Sequence, residues 1–309
     1  YGKDRTAVCC LSSLNLENYN EWKDEPGFIE DIMRFLDNVL TDFINRAPES
    51  FDDAKYSAMR ERSVGLGVMG FHSYMQKNMI PIESVMAKVW NKKMFQLIDK
   101  EVNTASKKLA DERGPCPDAA DYGINERFSN KTAIAPTASI SIICGGASPG
   151  IEPIAANSYT HKTLSGSFNV RNKYLRKILQ KYNEDTNEVW SSITTNQGSI
   201  NHLDFLSQDE KDVFKTAFEI DQRWLIDHSA DRTSYISQAQ SLNVFIPADI
   251  HKKELHEIHY QAWKKGLKSL YYCRSKSIQR AEVVNDSFAK TKKQKNQEKQ
   301  QTTDYEECL

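Results

Sequence analysis

Residues 131–153 read KTAIAPTASISIICGGASPGIEP. The run opens with β-favouring residues around Ile134, then turns at Pro136 to hydroxyl and small side chains: Thr137, Ala138, Ser139, Ser141, Gly145, Gly146 and Gly150. That change predicts a strand running into a turn. No charge falls between residues 132 and 151, close to the length of a membrane span. Pro136, Pro149 and the glycines break any helix that long. Small residues leave backbone N–H groups open to an anion and hydroxyls add donors, so the stretch reads as a phosphate cradle. A buried polar turn is the alternative reading.

Working outward, further β-favouring runs lie at TAVCCL around Cys9, SLNVFIP with Leu242, Val244 and Ile246 alternating, and SLYYC around Tyr271. Between them apolar residues recur at helical spacing over 28–44, stopped by Pro48, over 82–112, ending at Gly114, and over 250–265. Ser207 and Glu210 have the spacing of a capping box that opens another helix. Strands alternating with helices predict an α/β fold, a sheet covered by helices.

The 309 residues carry 41 Lys+Arg against 42 Asp+Glu, a net charge of −1, which favours neither nucleic acid nor an anionic membrane as partner. An apolar content of 39% is below the roughly 45–50% of ordinary globular chains, so part of the chain stays out of the core. That part is the C-terminal end, where KTKKQKNQEKQQTTDYEECL from Lys290 is polar throughout. The expected division is a folded 1–275 and a mobile tail 276–309 that carries Cys308. The six cysteines, at 9, 10, 116, 144, 273 and 308, form no CxxC and no paired ladder, which disfavours a disulfide framework or structural zinc and fits a reducing cytoplasm. The N-terminal stretch is a poor signal peptide.

Three motifs read as structural. Gly65, Gly67 and Gly70 spell GxGxxG, but a helical pattern precedes them, so close backbone packing is favoured over a dinucleotide site. Gly146, Ser148 and Gly150 spell GxSxG, yet the residue after the serine is Pro149, which has no N–H for an oxyanion hole. Glu254, His256, Glu257 and His259 lie on a charged helix face without the HExxH order of a metal site. Adjacent Tyr271 and Tyr272 on a strand would face opposite sides, one phenol to a pocket and one to an interface, or would simply fill a core; vicinal Cys9 and Cys10 obey the same alternation.

Six stretches in order, TAVCCLSSLNL, RERSVGLGVMGF, RGPCP, KTAIAPTASIS through GIEP, QRWLIDHSADRTSYISQAQSLNVFIP and LKSLYYCRS, resemble the C-terminal part of the large, catalytic subunit of class I ribonucleotide reductase. The Tyr-Tyr pair favours class I over the cobalamin-dependent class. The resemblance implies the second half of a ten-stranded α/β barrel, a five-stranded half-barrel with flanking helices. It implies that Cys9 is one of two thiols that reduce the substrate, that Pro136, Thr137, Ala138, Ser139 and Ile140 bind a diphosphate, that Tyr271 and Tyr272 relay a radical, and that Cys308 re-reduces the active-site disulfide. The family tail carries two cysteines close together, whereas here Cys308 stands alone.

The thiyl-forming cysteine and the second redox cysteine belong to the family's first half. The expected partners are therefore a polypeptide holding that N-terminal half, a small subunit with a diiron or dimanganese tyrosyl radical, thioredoxin or glutaredoxin, and ribonucleoside diphosphates. No metal or cofactor is expected on this chain itself. The chain is expected to be a truncated or naturally split subunit; a non-catalytic module that binds nucleotide phosphates or a partner is the alternative.

Overall fold

The computed structural model describes residues 4–163 and 166–275. Its organising feature is a ladder of parallel pairings that follows chain order. β1 (Leu11–Asn15) pairs with β2 (Gly65–Met69) from Leu11↔Gly65 to Asn15↔Met69. Leu66 then bridges to Thr132, and Ile134 bridges to Gln240. After the antiparallel hairpin of β3 (Ser158–Thr163) and β4 (Gly166–Arg171), β5 (Val244–Ile246) pairs in parallel with β6 (Cys273–Ser275). The Ala133 N–H donates to Leu66 O at 3.2 Å, the Ser241 N–H to Ile134 O at 3.0 Å and the Val244 N–H to Tyr272 O at 2.9 Å, so five segments join into one sheet. Parallel pairing requires helical crossovers, which cover the sheet.

Those helices follow from the apolar spacing. α1 (Phe28–Arg46) buries Ile29, Met33, Leu36 and Leu40 on one face. After α2 (Asp52–Glu61) and α3 (Phe71–Lys77), the long α4 (Val85–Arg113) packs against α1. Ser84 caps α4 by accepting the Ala87 N–H at 3.1 Å, and Gly114, at φ +83°, ends it. α5 (Lys173–Lys181), α6 (Asn187–Thr195) and α7 (Gln208–Val213) enclose a second apolar cluster around Leu175, Trp190 and Phe214. Both halves of the capping box between Ser207 and Glu210 are formed at the start of α7. α8 (Gln222–Thr233) and α9 (Lys252–Lys264) complete the outer layer. The hairpin, α5, α6 and α8 had no counterpart in the sequence reading.

Three expectations need correction. The first strand starts at Leu11, so Cys9 precedes it. The 131–141 run contributes only the two bridges, because Pro136 has no N–H to donate and Thr137 takes φ +52°; Ile140–Ile143 then form a helical turn. Tyr271 and Tyr272 precede β6, so strand alternation does not govern them. Cys9 and Cys10 likewise precede β1, but their side chains do differ, Cys9 being exposed and Cys10 buried.

Glycine at 67 is required by close approach. A Cβ there would lie 2.3 Å from Ala133 O, so the middle of the sheet closes only on Gly67. The GxGxxG glycines thus serve packing. Ser148 of the GxSxG motif is buried, donating its N–H to Ser73 Oγ at 2.8 Å and accepting the Ser73 N–H at 3.0 Å.

Two fully buried histidines flank the sheet. His72 Nδ1 accepts the Ile154 N–H at 3.1 Å, and His228 Nε2 lies 2.7 Å from Ile82 O. Burial holds His72 down at about 3 and His228 at about 4. In the unfolded chain both protonate near pH 6.5, so below that pH the unfolded state binds more protons and stability falls as pH drops towards about 4. Between about pH 7 and pH 5.5 the expected loss is about 1.2 kcal/mol for each histidine, read from urea midpoints, and the slope approaches about 1.4 kcal/mol per pH unit only towards the lower end of that range. His72→Gln should flatten its share, and an equal slope in that variant would contradict this account.

Candidate functional site

The 136–150 loop is built on Thr137. Its Oγ1 accepts the Gly150 N–H at 2.7 Å and its carbonyl accepts the Ser141 N–H at 3.0 Å, which closes the base of the loop. A β-branched residue at φ +52° is held there only by surrounding structure. The Gly70 N–H donates to Ser148 O at 2.7 Å and ties the far end of the loop to the start of α3.

With its base fixed, the loop exposes Ala138, Ser139 and Ile140. Of the hydroxyls, Thr137 is engaged with Gly150, and Ser141 is buried and donates to Ala138 O at 3.3 Å. Ser139 opens the helical turn, where first-turn N–H groups have no intrahelical acceptor. A cation absent from the sequence reading reaches the same loop. Lys173 Nζ donates to Gly145 O at 3.0 Å and also pairs with Glu17.

The tyrosines lie level with this loop. Two residues beyond the Ile134↔Gln240 bridge come Pro136 on one segment and Leu242 on the next, and Leu242 O accepts the Tyr271 N–H at 2.9 Å. Asn243 Oδ1 accepts the Tyr272 N–H at 3.0 Å. The two rings meet with centroids 4.1 Å apart at 55°, contrary to the expectation that they face opposite sides. They are 48% and 53% exposed, and Arg274 lies over the Tyr272 ring at 5.0 Å. The phenols share a hydrogen bond that, with the neighbouring Tyr272 charge, pushes Tyr271 above its ordinary range.

Glu152, just past Gly150, lies in electrostatic range of Tyr271 and Arg274 and beside Asn243. Its local sequence carries no mark of a site residue, although GIEP belongs to the resemblance. Cys9 is on the opposite flank of the ladder, exposed ahead of β1, while β6 forms the other edge. Cys10 faces inward, its Sγ 3.7 Å from Leu36 O, and burial raises its pKa. Cys308 and the rest of 276–309 lie outside the described residues. His256 and His259 are exposed on α9, as expected for a solvated face. Among the described residues no helix is long and apolar enough to cross a membrane.

The sequence model of the family described as "Ribonucleotide reductase, barrel domain" matches residues 2–125 and 118–273. The chain belongs to this family. Among reductase relatives, it is 51% identical over 287 residues to the ribonucleoside-diphosphate reductase large subunit of Invertebrate iridescent virus 6, covering 92% of this chain and 30% of that one. It is 42% identical to the putative large subunit of Frog virus 3, covering 88% of this chain and 48% of the relative. The solved structure of the Actinobacillus ureae class Id ribonucleotide reductase alpha subunit superposes with a TM-score of 0.82 at 39% identity, covering 89% of this chain and 51% of that one. The chain therefore spans a third to a half of the reductase large subunits it matches, and its parallel ladder is part of their barrel.

Proposed function

We propose that this chain forms the C-terminal half of the catalytic barrel of a ribonucleoside-diphosphate reductase and acts when assembled with its other half. The observation that carries the reading is the five-segment parallel ladder whose outer strands, β1 and β6, each have one partner among the described residues. Such edges call for completion, and a permanent interface of about 2,000–5,000 Å² suits a barrel shared between polypeptides. Residues 1–275 are the barrel half, and 276–309 the reductant-facing tail.

In this reading the 136–140 backbone and Ser139 hold the substrate's diphosphate. Cys9 and a cysteine of the other half each give up a hydrogen and together become a disulfide, while the 2′ carbon is reduced and its hydroxyl leaves as water. A dithiol suits this task because it delivers two electrons and is reset by exchange. Tyr271 and Tyr272 carry the radical from a small subunit to the missing thiyl cysteine, and Cys308 passes electrons from thioredoxin or glutaredoxin to the disulfide. A non-catalytic phosphate-binding module is the competing reading; it requires tolerance of changes at Cys9 and Tyr271.

The test is to isolate the chain with its bound partners from its source and assay ribonucleoside diphosphate reduction with a dithiol. Activity accompanied by a polypeptide that bears the missing cysteines supports the reading; absence of both overturns it. The two thiols separate in the same assay. Cys308→Ser should lose thioredoxin-driven turnover yet keep turnover driven by a small dithiol, whereas Cys9→Ser should lose both. Equal loss in both assays for Cys308→Ser would remove its shuttle role.

A further inference from the structure

Glu152 is a buried carboxyl, 7% exposed, whose Oε1 has no hydrogen-bond partner. Stranding a carboxyl oxygen this way is costly unless the group has a task. Its neighbours indicate the task. Asn243 lies close enough to the carboxyl to favour its charged form, and the same Asn243 accepts the Tyr272 N–H through Oδ1. On the other side Glu152 follows Gly150, whose N–H closes the loop onto Thr137. Glu152 thus lies between the 136–150 loop and the residue that holds the backbone of the tyrosine pair.

We propose that Glu152 is a positioning residue for Tyr271 and Tyr272, fixing Asn243 beneath them and setting the charge beside the Tyr271 phenol. The inference rests on the reading of those tyrosines as the radical relay. The charged or titratable groups in range of it, among the described residues, are Arg274 on β6 and Tyr271 just before it. A carboxylate beside a phenol opposes phenolate and favours loss of an electron; a neutral carboxyl does neither. Burial raises Glu152 to about 7, against smaller opposing contributions from Asn243 and Arg274, so its charge changes across the neutral range.

The experiment compares the assembled enzyme with its Glu152→Gln variant in steady-state reduction of a ribonucleoside diphosphate from about pH 6 to pH 8.5. Glutamine keeps the shape and the Asn243 contact but cannot ionise. The expected result is a kcat of order 10- to 100-fold lower, an unchanged KM, and loss of an inflection near neutral pH that the parent enzyme shows. Glu152→Asp should retain the inflection at reduced kcat. A Gln variant with the parent's kcat and pH profile overturns the proposal, as does a loss confined to KM or to thermal stability. Absence of turnover in the parent assembly would instead overturn the functional reading beneath it.

Discussion

Tyr271→Phe is expected to reduce ribonucleotide turnover to background while leaving the chain folded and able to assemble. The substitution deletes one oxygen from a ring 48% exposed to solvent. The ring contact with Tyr272 at 4.1 Å and the backbone hydrogen bond to Leu242 O are both retained. Changes of this kind at exposed positions cost about 0.5 kcal/mol or less. What disappears is the chemistry: a phenol can give up a proton and an electron together, and a phenyl ring cannot. Turnover and co-purification with partner polypeptides should be measured in one preparation. Normal turnover would remove Tyr271 from the relay, and loss of assembly would assign it a structural part.

The largest effect on stability is expected at Asp37. This carboxylate, fully buried on α1, accepts Arg62 Nε at 2.7 Å, Arg127 Nε at 2.9 Å and Arg113 Nη1 at 2.7 Å. Arg62 also donates to Asp37 O at 2.8 Å, and Arg127 to Gly114 O at 2.9 Å. The cluster gathers α1, the residue after α2, the end of α4 and the segment leading to the bridges at Thr132 and Ile134. Asp37→Ala leaves Arg62 and Arg127 facing each other without their counter-charge, a loss of about 3–5 kcal/mol against a total stability of about 5–15. Urea unfolding should show a midpoint lowered accordingly with an unchanged slope. A shift under about 0.5 kcal/mol would contradict the account.

The same site has its own pH signature. Burial works against the Asp37 charge, but hydrogen bonds from Arg127 and Arg113 and the Arg62 charge outweigh it and hold the carboxyl below its ordinary range. Its contribution is therefore present above the unfolded value near 4 and lost as pH falls through the lower folded value. The histidine effect develops at milder acidity.

How much of this was readable beforehand depends on how local the cause is. The apolar faces of α1 and α4 and the Ser207–Glu210 cap are set within a few residues, and they stand where spacing placed them. The Asp37 cluster was invisible because its partners are 25, 76 and 90 positions away. Strand limits drifted for a related reason: buried parallel segments carry no alternation of their own, and 132–134 pairs only because two distant segments flank it. Of the residues assigned by resemblance, Pro136 at the base of the loop comes level with Leu242, which holds Tyr271, while Cys9 lies at the far edge of the ladder. Glu152 and Lys173 went unread because their significance depends on Asn243 and Gly145, residues brought near by folding.

Because every segment of the ladder pairs with the one before it in sequence, the sheet can grow in the order in which a ribosome delivers it. β1 waits for β2, β2 for residue 132, and β5 only for the crossing of α9 before β6 arrives. The long wait falls between Ile134 and Gln240, while the hairpin and the second apolar cluster are still emerging. Parallel sheets fold slowly and expose unpaired edges while they do so. Translation pausing or chaperone capture in that interval should therefore govern the yield of the chain more strongly than at any other point along it.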